Sequence, residues 1–76
     1  MQTAVDYTKE IAEVVDPYLA FVASYEGGVY QIEFNENGNT GGRIIDELRQ
    51  VLPENTRFKL YPDGVIEVEI GEENGN

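Results

Sequence analysis

Two stretches of alternating polar and apolar residues, separated by 36 positions, restrict the chain to a fold built on β-hairpins. Residues 25–34 read YEGGVYQIEF and residues 61–70 read YPDGVIEVEI. Each has turn-forming residues between runs rich in β-branched and aromatic residues, which is typical of two antiparallel strands joined by a tight turn. Pro17 and Pro53 are separated by the same 36 positions. Two explanations account for this similarity. One is a duplicated αββ unit, and the other is coincidence, because turns and alternating strands are built from a small set of residue types.

An amphipathic helix is predicted before each hairpin. Residues 4–15 place apolar side chains on one half of a helical wheel and acidic ones on the other, with Thr3 as N-cap and Pro17 beyond the end. Residues 42–52 repeat the pattern before Pro53. The order is helix, hairpin, helix, hairpin. It predicts a two-layer α+β fold, αββαββ, with a four-stranded, largely antiparallel sheet and both helices on one face.

The second hairpin has a register that its charges support. Pairing Tyr61 with Val65 around the turn at residues 62–64 puts Lys59 opposite Glu67 and Arg57 opposite Glu69. Cross-strand pairs of opposite charge stabilise a hairpin by a few tenths to about 1 kcal/mol each.

The first hairpin joins a strand predicted over residues 18–25 to a second over residues 29–34, and it has two possible registers. A two-residue turn at Gly27 and Gly28 pairs Tyr25 with Tyr30 and places most large side chains inside. A three-residue turn with Gly28 in the left-handed position leaves Leu19 and Phe21 outside. Buried apolar area, at about 25 cal/mol per Å², favours the two-residue turn. A true duplication favours the three-residue turn, because the first turn would then match the second.

The length of 76 residues predicts one domain, over residues 1–72, followed by a flexible tail at residues 73–76. No apolar run approaches the roughly 18 residues of a membrane span, and the N-terminus lacks a basic region followed by an apolar stretch. We therefore expect a soluble cytoplasmic protein.

Acidity is the strongest compositional signal. The chain has 15 Asp and Glu against 5 Lys and Arg, a net charge of −10 spread over its whole length. Such a surface repels nucleic acid and anionic lipid, because phosphate binding requires Lys and Arg. It attracts basic surfaces, including those of proteins that handle nucleic acid. The alternative interpretation is that the charge serves only solubility or adaptation to a salty cytoplasm.

The residue inventory argues against catalysis. The chain has no His and no Cys, so an imidazole base, a thiolate nucleophile and the usual zinc ligands are missing. Glu67 and Glu69 stand about 6.8 Å apart on one strand face, by two rises of about 3.4 Å. Opposing cations and a solvated sheet face do not provide the desolvated pocket that acid–base catalysis by paired carboxylates requires. The prediction is a non-enzyme with no cofactor and no metal site.

These observations lead to the hypothesis of an acidic protein-binding module. It would engage a basic surface, as a nucleic-acid-mimicking inhibitor of the phage or mobile-element type does, for example an anti-CRISPR or other anti-defence protein. Size and charge alone support this analogy. The alternative is a small homodimeric adaptor that associates through the open sheet face or an edge. The predicted contact residues are Asp6, Glu10, Glu13, Glu33, Tyr61, Glu67 and Glu69.

Overall fold

A computed structural model describes residues 6–71 and contains two helices and four strands in that range. The predicted N-cap Thr3 and the predicted tail at residues 73–76 lie outside it. The two-layer α+β fold predicted from the sequence is confirmed, with both helices on one face of the sheet. The elements are α1 (Thr8–Val15), β1 (Phe21–Tyr25), β2 (Val29–Glu33), α2 (Thr40–Val51), β3 (Arg57–Tyr61) and β4 (Val65–Glu69).

Helix α1 begins later than the periodicity predicted. Asp6 and Tyr7 precede it, and the Asp6 carboxylate accepts hydrogen bonds from the Thr8 backbone N–H at 2.9 Å and from Thr8 Oγ1 at 2.6 Å. Short polar side chains that hydrogen-bond to the backbone a few residues later are common at helix starts and unfavourable inside helices. The prediction of a helix from residue 4 is therefore wrong for residues 6 and 7.

The sheet is antiparallel throughout its described strands, in the order β1-β2-β4-β3. The two hairpins join through their second strands, with Gln31 opposite Glu67 at the centre of the β2–β4 pairing. These two residues are themselves 36 positions apart. The second hairpin has the predicted register, since Lys59 pairs with Glu67 and Arg57 with Glu69.

The two hairpins of the sheet are related by an offset of 36 residues in the sequence. It converts the bounds of β1 and β2 into those of β3 and β4, and it converts one hairpin register into the other. It also relates two hydrogen bonds, from Phe34 N to the Gly64 carbonyl and from Ile70 N to the Gly28 carbonyl, both at 2.9 Å. The two hairpins therefore meet about a local pseudo-twofold axis.

The register preferred for the first hairpin is wrong. The turn has three residues, Glu26–Gly28, and Tyr25 pairs with Val29 instead of Tyr30. Phe21 consequently points to the open face and is 76% exposed. The inward side chains at this point are the smaller Ala20, just before the strand, and Val22 within it, and α1 packs directly against β1. Close helix packing over small side chains thus outweighed the larger area that the other register would bury.

The chain between α1 and β1 also departs from the prediction. Residues 18–20 were expected to extend the strand, but Asp16–Tyr18 form a short 3₁₀ helix. Leu19 follows it in the left-handed region with φ 59°, and its N–H bonds to the Asp16 carbonyl at 2.9 Å. This turn removes Leu19 from the sheet and leaves it 80% exposed.

The core lies between the sheet and the helices. Helix α1 contributes Ile11 and Val15, and α2 contributes Ile44 and Leu48 at an offset of 33 residues. The offset of 36 that governs the sheet therefore fails for the helices. Burying such a side chain completely contributes about 1.5–3 kcal/mol. The buried hydrophobic residues of the described range are Ile11, Val15, Tyr30, Ile32, Phe34, Ile44, Leu48, Leu52, Ile66 and Val68.

Candidate functional site

The face of the sheet that the helices leave open carries the predicted sheet-borne contact residues. Both helices pack on the other face, so no described helix or strand covers this one. The strand registers arrange its residues in three rows that run from β1 to β3. The rows are Tyr25, Val29, Glu69 and Arg57; then Ala23, Gln31, Glu67 and Lys59; then Phe21, Glu33, Val65 and Tyr61.

A shallow concavity of about 260 Å³ opens on this face beside the second turn. Tyr61 and Val65 give it an aromatic and aliphatic part, while Glu67, Asp63 and Gln31 give it carboxylate and amide groups. Asp63 is exposed in the turn that joins β3 to β4. The combination of an aromatic ring with carboxylates suits a cationic side chain, which can stack on the ring and bond to the acids.

Tyr61 is fixed from two sides. Its hydroxyl donates a hydrogen bond to Glu67 Oε1 at 3.1 Å, and Lys59 Nζ lies 5.4 Å from the centre of its ring. The ring is half-buried and faces outward, as the sequence predicted. The hydrogen bond links two residues that line the concavity. The Lys59 contact shows that the ring already accepts a cation over its face.

The carboxylates of the face follow strand geometry. Glu67 and Glu69 are separated by about 6.8 Å along β4. Glu33 stands opposite Val65, so it is the diagonal neighbour of Glu67, at about 7–8 Å. Arg57 and Lys59 face Glu69 and Glu67 across the β3–β4 pairing. The surface is therefore acidic along β2 and β4 and bounded by cations at the β3 edge.

The predicted acids of the first helix do not join this surface. Glu10 and Glu13 are exposed on α1, which lies on the opposite side of the sheet. Their separation of three residues puts them on one helix face. The structure thus divides the predicted contact residues between two surfaces, a sheet group and a helix group.

Asp6 belongs to an internal hydrogen-bond network. Besides its two bonds to Thr8, its carboxylate accepts the Tyr30 hydroxyl at 3.2 Å, and that hydroxyl accepts the Tyr7 backbone N–H at 2.9 Å. The Thr8 side chain, the Thr8 backbone and Tyr30 hold the pKa of Asp6 below its usual value of 3.8. Asp6 therefore stabilises the start of α1, a role that its acidic character alone did not indicate.

Sequence reasoning missed three contributors to the concavity. Asp63 appeared only as a turn residue, and Val65 and Gln31 only as strand positions. Gln31 lies opposite Glu67 because β2 pairs with β4. Strand patterns do not reveal which hairpin edges pair, so no sequence signal could have found this neighbour.

Comparison with protein-family models, with curated proteins and with solved structures found no match to this chain. Within residues 6–71, no group of three or more His, Cys, Asp or Glu side chains is arranged to hold a metal ion. No helix in that range has the length and apolar character needed to cross a membrane.

Proposed function

We propose that the protein is a non-enzymatic binding module whose open sheet face engages a basic surface of another protein. The observation that carries the proposal is the concavity at Tyr61, where an aromatic ring and the carboxylates of Glu67 and Asp63 surround one recess. A net charge of −10 supports it, since long-range attraction raises the rate at which a basic partner is encountered.

The partner's anchor is an arginine or lysine side chain. A guanidinium can bond to a carboxylate through two parallel N–H groups while its flat face lies against an aromatic ring. The recess offers both features within one turn and two strands. Glu33 and Glu69 then serve as flanking contacts for further cations of the partner.

A partner of this kind is a protein that binds nucleic acid, and the module acts as its inhibitor. Same-face carboxylates recur at about 6.8 Å along a strand, whereas phosphates of one DNA strand advance about 3.4 Å each along the axis. The face therefore imitates alternate phosphates. Like-charge repulsion disfavours direct binding of nucleic acid to this chain.

The test is affinity capture from a host lysate with three forms of the protein, followed by affinity measurement with the partner identified by mass spectrometry. The sheet variant E33Q/E67Q/E69Q removes three charges from the open face. The matched control E10Q/E13Q/D46N removes three charges from exposed helix residues. We expect the sheet variant to weaken binding at least about tenfold, or about 1.4 kcal/mol, and the control to bind nearly as the native chain does.

Salt and competition complete the test. The affinity should fall steeply as salt rises through the range where exposed charges are screened. Nucleic acid that the partner binds should compete with this chain. An affinity that neither salt nor the sheet variant changes would refute the proposal, and loss of binding only in the helix variant would move the site to the helix layer.

A further inference from the structure

The two edge strands of the sheet, β1 and β3, carry different outward side chains at equivalent positions. Strands β1 and β3 occupy equivalent edge positions at the offset of 36 residues. On the open face, β3 carries Arg57 and Lys59 where β1 carries Phe21 and Ala23. Charged side chains on edge strands, lysine above all, prevent edge-to-edge association. Edge β3 has this protection and edge β1 lacks it.

Apolar side chains stand exposed beside the unprotected edge. Phe21 is 76% exposed and Leu19, two residues earlier, is 80% exposed. Leu19 also has a φ of 59°, a conformation that residues with a β-carbon rarely adopt. Strained residues persist where the surrounding structure requires them, and they cluster at functional positions. Here the strain accompanies a large apolar side chain held in solvent.

The hydrogen bonds of the sheet show which backbone N–H and C=O groups of β1 point away from β2. Phe34 N bonds to the Gly64 carbonyl and Ile70 N to the Gly28 carbonyl, so the even-numbered residues of β2 and β4 bond to each other. Because antiparallel ladders alternate, the odd-numbered residues of β2 bond to the odd-numbered residues of β1. The backbone groups of Val22 and Ser24 therefore point out of the β1 edge, where no described strand pairs with them.

We infer that this edge pairs with β1 of a second copy of the chain, antiparallel and centred on Ala23. A twofold axis there sets Val22 opposite Ser24 of the second copy, and both positions have outward backbone donors and acceptors. Ala23 then stands opposite Ala23 of the second copy at the axis, where two small side chains let the strands approach closely. The result is a closed twofold dimer, the commonest oligomer symmetry, with one continuous eight-stranded sheet.

The distribution of charged residues favours a second copy of the chain over a basic partner at the β1 edge. Strand β1, FVASY, is the one strand of the four without a charged residue. Two chains of net charge −10 can therefore pair here without opposing carboxylates, whereas a basic partner is attracted to the acidic residues of β2 and β4. Two short paired strands make a small contact, in the size class of weak and transient dimers.

The test is sedimentation of the full chain from about 1 µM to about 500 µM, the range of a micromolar dissociation constant. The variant F21R/A23K gives edge β1 the outward residues of edge β3, at two exposed positions that the fold does not need. We expect it to raise the dissociation constant at least about tenfold, because like charges then oppose each other across the axis. The control N37K/Q50K adds the same charge at exposed positions outside the sheet and should leave the dimer intact.

A chain that stays monomeric at every concentration, or a dimer that F21R/A23K does not weaken, would overturn this inference. Salt separates it from the proposed function. Screening of self-repulsion should tighten the dimer as salt rises, whereas it should weaken the binding of a basic partner. A monomeric chain with salt-sensitive partner binding would refute the dimer and leave the proposed function standing.

Discussion

The two symmetry-related turn glycines should differ sharply in their tolerance of a methyl group. Gly28 and Gly64 share a left-handed φ, of 78° and 84°. A β-carbon at Gly28 would meet Ile70 Cβ at 3.6 Å, an ordinary contact. A β-carbon at Gly64 would lie 2.4 Å from the Phe34 carbonyl oxygen, which belongs to the backbone and cannot turn away. Gly64 therefore carries a steric restriction in addition to the conformational one.

The magnitudes follow from these two terms. Left-handed backbone costs a residue with a β-carbon about 1–2 kcal/mol, which is the expected loss for G28A. G64A adds an overpacking cost of about 1–3 kcal/mol, giving about 2–5 kcal/mol. A chain of this length has a total unfolding free energy of about 4–11 kcal/mol. G64A should thus remove a large part of the stability and G28A a small part.

Urea unfolding followed by circular dichroism measures the difference. With a slope of about 1 kcal/mol per molar urea, the midpoint should fall by about 1–2 M for G28A and by about 2–5 M for G64A. Asn tolerates the left-handed region, so G28N should recover most of the loss while G64N should not. Equal midpoints for G28A and G64A, or recovery by G64N, would refute the reasoning.

Three further predictions concern the N-terminal half. Y30F removes the hydroxyl that accepts the Tyr7 N–H, and it should lower the unfolding free energy by about 1–2 kcal/mol in denaturant titrations; an unchanged midpoint would contradict the network. D6N should destabilise the chain at pH 7, and because the folded-state pKa of Asp6 is lowered, its advantage over Asn should vanish as pH falls below 3.8. A gap between D6N and the native chain that persisted at low pH would count against this assignment. L19N should keep or slightly raise the melting temperature of the monomer, since Asn tolerates φ 59° and the native side chain is 80% exposed; a drop of several degrees would show that Leu19 packs in the monomer.

The candidate site could be predicted only in part. The outward direction of Tyr61, Glu67 and Glu69 followed from strand alternation and from the opposing charges of Arg57 and Lys59. The sequence also placed Glu10 and Glu13 on an exposed helix face. It could not show that the sheet lies between these two groups, because alternation and helical periodicity describe each element alone.

Asp6 illustrates a second limit. Its sequence position fitted the acidic face of a longer helix, but its carboxylate bonds to Thr8 and Tyr30. Tyr30 is 24 residues away, and it reaches Asp6 because α1 packs over the sheet. A role that depends on a contact between distant residues has no local signature.

Local chemistry by itself determined the second hairpin, the helical stripes and the α+β class, because alternation, turn residues and charge pairs act over a few positions. The tertiary structure decided the rest. It joined the hairpins through β2 and β4, and it chose the three-residue first turn because α1 packs over the small inward side chains of Ala20 and Val22. That choice left Phe21 in solvent and created an unprotected edge. Both outcomes depend on packing between segments far apart in the chain, which no local pattern records.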